Sequence, residues 1–169
     1  NAMVGNEERV IKRMLESSYK YIDYWVIQCN GTDKTQSIIE EFYKEKKIPG
    51  FTYNHEWDYP GINRDHTLQT ALKSNHGCDW ILRMDADEQL EVDDDFDWTI
   101  FDHKDIESFN VTATGAGSIY YRTWLWNANI PWRFEHDRRH ECVYIEGRGD
   151  VFQRFQLDRG FRHILSLIH

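Results

Sequence analysis

The stretch Asp79-Trp80-Ile81-Leu82-Arg83-Met84-Asp85-Ala86-Asp87-Glu88 decides the architecture. Its first half is a short run of apolar and β-forming residues, and its second half carries three carboxylates in four positions. The run Trp80 to Met84 reads as a buried strand that opens into an acidic loop. Side chains at i and i+2 of an extended segment point the same way, so Asp85 and Asp87 are expected to converge just beyond the strand's carboxyl end. Open α/β sheets bind ligands at that edge. Two hard carboxylate oxygens there suit Mg²⁺ or Mn²⁺, which would let an acidic protein handle a phosphate-bearing ligand. The competing reading is a solvated acidic loop, and the position directly after a buried strand favours the site. An EF-hand is excluded, because Gln89 and Leu90 stand where that loop needs another oxygen ligand and its glycine.

Upstream of this stretch, helix and strand patterns alternate. Val10, Ile11, Met14 and Leu15 recur at helical spacing between Glu7 and Ser17. Tyr24-Trp25-Val26-Ile27 is a β-rich run that stops at the polar turn Asn30-Gly31-Thr32-Asp33. Asp33 with Gln36 three residues on predicts an N-cap and capping box for a helix through Ile38, Ile39, Phe42 and Tyr43, ending near Lys47. Phe51-Thr52-Tyr53 reads as the next strand and Asn63 to Ser74 as the third helix. Strand, helix, strand, helix, strand predicts parallel pairing with helices on the faces. Downstream of Glu91 the pattern changes. Asp93-Asp94-Asp95 reads as a solvated loop, and Glu107–Thr114 and Ile119–Trp126 as two strands around Gly115-Ala116-Gly117, added antiparallel.

Composition sets the outer bounds. The 169 residues hold 20 Lys and Arg against 29 Asp and Glu, a net charge of −9, which excludes the basic stripe that nucleic-acid binding requires. Seven Trp, nine Tyr and nine Phe with only three Pro bury enough area to argue against disorder. There is no internal repeat, low-complexity tract or linker, so one domain over 1–169 is expected. No apolar run approaches a membrane span and no signal-peptide order opens the chain, so a soluble, cytoplasmic protein without a membrane span is expected. Asn1-Ala2 ahead of Met3 reads as the remnant of a cleaved tag and is set aside from the fold. Cys29, Cys78 and Cys142 are odd in number and far apart, and read as free thiols.

Further polar groups fall near the predicted strand ends. Gln28 closes the Tyr24–Ile27 run ahead of a glycine-containing turn into a helix, where an anion can be received. Arg64 opens the third helix, placed to clamp a phosphate with two parallel hydrogen bonds or simply to lie exposed. His140-Glu141 is a second polar pair after Trp132-Arg133-Phe134-Glu135, and His169 follows the apolar run Ile164-Leu165-Ser166-Leu167-Ile168. Trp57, Tyr59, Trp124, Trp126 and Trp132 are available either to stack on sugar faces or to fill the core.

Taken in order, these pieces resemble the family 2 glycosyltransferases of the GT-A fold. The likeness runs from Asn6-Glu7-Glu8 through the turn Thr32-Asp33-Lys34-Thr35, Arg64 before Ala71-Leu72, and Asp79 to Glu88. Arg122, Trp132-Arg133-Phe134-Glu135 and His140-Glu141 look like the acceptor segment of bacterial members with a His-Glu pair. The resemblance implies a GT-A-like αβα sandwich with a mostly parallel central sheet and antiparallel additions in the C-terminal half. It implies a nucleotide-binding half at about 3–91 and an acceptor-side half at about 92–169. By it, Asp87 and His169 bind a divalent metal, Mn²⁺ or Mg²⁺, with Asp85 on the ribose or reaching the metal through water. Arg64 faces the diphosphate, Glu7 and Gln28 line the nucleoside pocket, and Glu141, beside His140, is the base.

The implied activity is metal-dependent transfer of a sugar from a nucleotide diphosphate donor, a UDP-sugar first among them, to a hydroxyl of a glycan, lipid-linked or protein acceptor, with inversion. Two departures stand out. Gln28 replaces the Asp usual at the base, which opens the choice of nucleotide, and only Met3-Val4 remain of the strand expected before Asn6. A non-catalytic carbohydrate- or nucleotide-binding domain of the same descent is the rival reading. A sugar-phosphate nucleotidyltransferase is disfavoured, because no Gly-rich basic loop follows Met3.

Overall fold

The computed structural model of the protein describes residues 1–74, 77–115, 118–135, 142–148, 154–156 and 161–165. Among the described residues the architecture is mixed α/β, with three α-helices and several sheets. Strands β1 (Ala2–Val4), β2 (Trp25–Cys29) and β3 (Gly50–Tyr53) form a parallel sheet in that order, with Met3 opposite Gln28 and Gln28 opposite Tyr53. Helix α1 (Ile11–Ser18) joins β1 to β2, and α2 (Thr35–Lys46) joins β2 to β3. Helix α3 (Pro60–Lys73) leads from β3 to β4 (Trp80–Leu82). The expected alternation is therefore present.

Local chemistry explains where these elements start and stop. Helix α3 begins three residues earlier than the apolar spacing predicts, because Pro60 occupies a first-turn position where its missing N–H costs nothing and its φ is already helical. Lys47 closes α2 in the left-handed region with φ 58°. Gly50 then lets β3 pass close to β2, since a Cβ there would collide with the carbonyl of Trp25. The predicted capping box is not formed. Asp33 Oδ1 accepts the Thr35 N–H at 2.9 Å, but Gln36 reaches sideways to Glu40 Oε1 at 2.9 Å and Thr52 Oγ1 at 3.1 Å.

The second sheet is where the sequence expectation needs correcting. Strand β4 runs antiparallel to β7 (Ser118–Asn127), which pairs antiparallel with β6 (Ser108–Gly115). The short strands β10 (Arg154–Gln156) and β11 (Phe161–Leu165) run parallel to β6, and β11 also pairs antiparallel with β5 (Glu88–Val92). Strands β8 (Trp132–Phe134) and β9 (Val143–Ile145) form a separate hairpin-like pair. The first sheet is thus wholly parallel, whereas the second is mixed, with β4 joined to it by an antiparallel pairing.

Asn1 bridges the halves. Its amine donates to Leu82 O at 2.8 Å and its carbonyl accepts the Met84 N–H at 3.0 Å, which is the hydrogen-bond pattern of a parallel ladder between the start of β1 and the end of β4. The Asn1 side chain also donates to Thr67 O at 3.2 Å. Setting residues 1–2 aside from the fold is therefore wrong for this structure: Ala2 is buried strand and Asn1 joins two sheets. The consequence for function is geometric. The carboxyl ends of β1, β2 and β4 all emerge at one edge, carrying Glu7, Asp33 and the Asp85–Asp87 loop with them.

Candidate functional site

Two loops at that edge are laced together through Asn6, Glu7 and Glu8. Asn6 Oδ1 accepts the N–H groups of Thr32 at 2.7 Å and Asp33 at 3.2 Å, Thr35 Oγ1 accepts the Glu7 N–H at 2.7 Å, and Asp33 Oδ2 accepts the Glu8 N–H at 3.1 Å. Gly31 permits the approach, since a Cβ there would run into the carbonyl of Gly5. The lacing fixes Glu7 next to the acidic turn. Partial burial raises the Glu7 carboxyl above its ordinary range, and the charges of Asp87, Asp33 and Asp85 push it further the same way. Like charges held together in this manner are the electrostatic condition that a cation relieves.

The Asp85-Ala86-Asp87-Glu88 segment is a tight turn rather than a continuation of the strand, with the Glu88 N–H donating to Asp85 O at 3.1 Å. Glu88 is fully buried and its Oε2 accepts the Asp85 N–H at 2.7 Å, so its side chain braces the turn from beneath. Asp85 is already engaged. Arg64 Nη1 lies 2.8 Å from its Oδ1, and Arg83 Nη2 lies 3.3 Å from both its oxygens. Burial alone would raise the Asp85 carboxyl, but the Arg83 and Arg64 charges outweigh it and hold the group below the usual carboxylate range. Asp87 is half-buried at the tip of the same turn.

Beside Asp85 opens a cavity of about 540 Å³. Its charged lining is Arg64, Arg83, Arg122 and Asp85, and Trp124, Trp126 and Phe134 form much of the rest. The arginines are held by their faces as well as their edges. Arg122 stacks 4.2 Å and Arg83 4.9 Å from the Trp124 ring centre, and Arg122 lies 3.7 Å from Glu88. Phe134 is brought to the cavity by Asp65, a buried carboxylate on α3. It accepts the Phe134 N–H at 2.8 Å, and both Nη2 and Nε of Arg133 at 2.8 and 3.1 Å.

Gln28 departs from the reading of an open amide facing a base. It is completely buried, and its Nε2 donates to Asn63 Oδ1 and Asn30 Oδ1, each at 3.1 Å. Its Oε1 lies 2.9 Å from the Thr67 hydroxyl and 3.3 Å from the Tyr53 hydroxyl. In this arrangement the amide has no unused hydrogen-bonding group to offer a ligand. Gln28 instead ties β2 to α3 and β3.

The structure thus brings Glu7, Asp85 and Asp87 to one edge with Arg64 paired to Asp85. His140, Glu141 and His169 lie outside the described residues. Among the aromatic candidates, Trp132 is fully buried core, Trp124 and the buried Trp126 border the cavity, and Trp57 is 55% exposed. The three cysteines are free thiols, as expected. Arg83, Glu88 and Asp65 are the residues sequence reasoning missed. Arg83 carried one usable signal, a charge inside an otherwise apolar strand two residues before the acidic turn. Asp65 and Glu88 sat in polar stretches and carried none.

Among the described residues, no group of three His, Cys, Asp or Glu is arranged to hold a metal ion, and no helix is long and apolar enough to cross a membrane. Neither a protein-family model nor a curated protein sequence matches this chain.

Proposed function

We propose that this protein is a metal-dependent glycosyltransferase of GT-A type that moves a sugar from a nucleotide diphosphate donor to an acceptor hydroxyl. The observation that carries the proposal is the acidic turn at Asp85–Asp87, set at the carboxyl edge of the sheet with Glu7 and Asp33 close enough to raise the Glu7 carboxyl. The donor set fits a hard divalent cation, Mn²⁺ or Mg²⁺. Such a cation is commonly held by one or two carboxylates together with substrate phosphates rather than by an all-protein cage. Asp87 would hold it, with Glu7 nearby; Asp85 is committed to Arg64 and Arg83. The ion, when bound, neutralises the diphosphate.

The protein's own groups do the rest by position and charge. Arg64, on the first turns of α3 and fixed by its 2.8 Å contact with Asp85, stands where a phosphate oxygen can share its guanidinium. Glu88 and the Asn6 lacing keep the turn and the two loops from moving as negative charge develops on the leaving group, so little reorganisation is needed. Glu141 takes the acceptor proton in this proposal. A second reading, a carbohydrate- or nucleotide-binding module without turnover, draws on the engagement of Asp85 by two arginines.

Titration calorimetry with UDP tests the metal dependence, and turnover of a UDP-sugar separates the two readings. The enzyme binds UDP in the presence of Mn²⁺ and hydrolyses or transfers from a UDP-sugar, and Asp87→Ala loses both while unfolding at the wild-type temperature. UDP binding that ignores Mn²⁺ and Asp87 would remove the metal-dependent mechanism.

A further inference from the structure

The loop at residues 54–59 carries β3 into α3, and its first residues are pinned to the neighbouring strand end. Asn54 Nδ2 donates to Cys29 O at 3.1 Å, and Asn30 Nδ2 donates to the His55 carbonyl. Glu56, Trp57 and Asp58 are exposed. The His55 ring reaches the middle of α3, where it lies face to face on His66 with ring centres 3.6 Å apart and planes 4° from parallel. Both rings are half-buried. Two imidazolium ions at that separation repel each other directly, and partial burial limits how far water can screen them. The geometry does not suit a shared metal ion. An ion lies in the plane of the imidazole that ligates it, and here the two planes are nearly parallel and 3.6 Å apart.

The surroundings accommodate one proton more readily than two. His66 Nδ1 lies 3.3 Å from the Tyr53 hydroxyl on β3, which in turn lies 3.3 Å from Gln28 Oε1 on β2. A protonated His66 can donate to Tyr53 Oη while Tyr53 donates onward to the amide. The other charged groups facing the ring offer little to a second proton. Lys73 on α3 is itself a cation, and the Asp65 carboxylate is engaged by the Phe134 N–H and by Arg133. Burial first, then His55 and Lys73, hold His66 below the ordinary histidine range against the weaker pull of Asp65.

We propose that the His55–His66 stack is an acid-sensitive latch: it holds the loop at 54–59 against α3 while at most one ring carries a proton, and a second proton opens it. The sign follows from linkage. Separated rings titrate in the ordinary range near 6.5, whereas the stacked pair takes its second proton only below that range. Opening therefore takes up a proton, and the open population grows by up to about tenfold per pH unit as pH falls below about 6.5. The loop adjoins the strand end that carries Asn30 and runs through Pro60 into the helix that carries Arg64. The latch thus makes the shape of the binding edge depend on pH, whichever ligand that edge receives.

Hydrogen exchange of the peptide covering 54–59 reads the opening directly when it is followed by mass spectrometry from about pH 7.5 to about pH 5 and corrected for the intrinsic rate at each pH. In the wild type, protection of this peptide falls by about tenfold across the range, while protection of the β2 peptide in the same digest stays constant. In His55→Phe and in His66→Phe, each of which keeps a flat ring but loses one proton site, the loop's protection is the same at every pH. NMR of the ring Cε1–H signals of the wild type shows the pair titrating in two steps, the later one below the ordinary range near 6.5. Loop protection in the wild type that does not change with pH overturns the proposal. So does a fall of equal size in both Phe variants, which would place the acid response elsewhere, or a fall shared by β2, which would report general acid unfolding. Two rings that titrate independently near 6.5 overturn it as well, because the stack would then tolerate both charges.

Discussion

Replacing Gln28 with Leu removes an amide that joins three elements without much change in side-chain volume. Its two N–H groups are the donors to Asn63 Oδ1 and Asn30 Oδ1 at 3.1 Å. Asn63 is completely buried and Asn30 partly so, and leaving such acceptors without a donor costs about 1–3 kcal/mol each, with the lower end applying to Asn30. The hydroxyls on the other side lose less. Thr67 still has Asn63 O at 2.7 Å and Tyr53 still has His66 Nδ1 at 3.3 Å. Allowing about 1 kcal/mol in favour of the apolar side chain, the net loss is about 1–3 kcal/mol. With an m-value near 2 kcal/mol/M, the urea midpoint falls by about 0.5–1.5 M at unchanged m. Gln28→Glu keeps the shape but buries an acid whose folded-state pKa is raised. Its destabilisation therefore grows as pH rises above the ordinary carboxylate range near 4 and shrinks below it. Urea unfolding followed by tryptophan fluorescence measures both. A Leu variant within about 0.5 kcal/mol of wild type that has nevertheless lost UDP binding would refute the reasoning and return Gln28 to the ligand.

Asp65→Ala leaves the Phe134 N–H and Arg133 without their shared acceptor. Because Arg133 is partly exposed and has Glu146 at 3.8 Å, a loss of about 3 kcal/mol is expected, at the low end for a broken buried pair; Asp65→Leu combined with Arg133→Met should cost less than the sum of the two single changes. Glu7→Gln removes a carboxylate raised first by burial and then by three neighbouring acids. Since its ionised form is disfavoured in the folded state, the variant is more stable than wild type at pH 7, by less than about 1 kcal/mol for so accessible a group, and the difference disappears as pH falls below about 4. For Asp85, held below the usual range by Arg83 and Arg64 against the opposing effect of burial, the sign reverses: its stabilisation is present above about pH 4 and lost as pH falls, so acid titration brings wild type and Asp85→Asn together. Glu141→Gln is expected to lower kcat by roughly 10²–10⁴ with UDP affinity and acceptor KM little changed; a rise in acceptor KM alone would make the residue a brace instead of the base.

Local pattern was enough for the first half of the fold. The apolar runs at Trp25–Ile27 and Trp80–Leu82, the helical spacing through Ile39, Phe42 and Tyr43, and the glycine turns between them are short-range signals, and each became the element it predicted. Asp85 and Asp87 were legible for the same reason: an acidic pair abutting an apolar strand states its own position at the strand's end. The second half resisted such reasoning because its short strands β5, β8, β10 and β11 do not alternate with helices and pair with partners distant in sequence. Pairing direction is a property of those partners, which is why β4 against β7 could not be read from either segment alone. The same holds for polar groups. Gln28 stands at a strand end, where a ligand group and a buried network hub look alike in one dimension, and only the positions of Asn63, Thr67 and Tyr53 distinguish them. Sequence also named Arg64 and Arg122 singly, but the cavity exists because packing brings both to Arg83 around Trp124. Charge convergence across a sheet is a long-range quantity, set by which strands become neighbours, and the tertiary structure alone decides it.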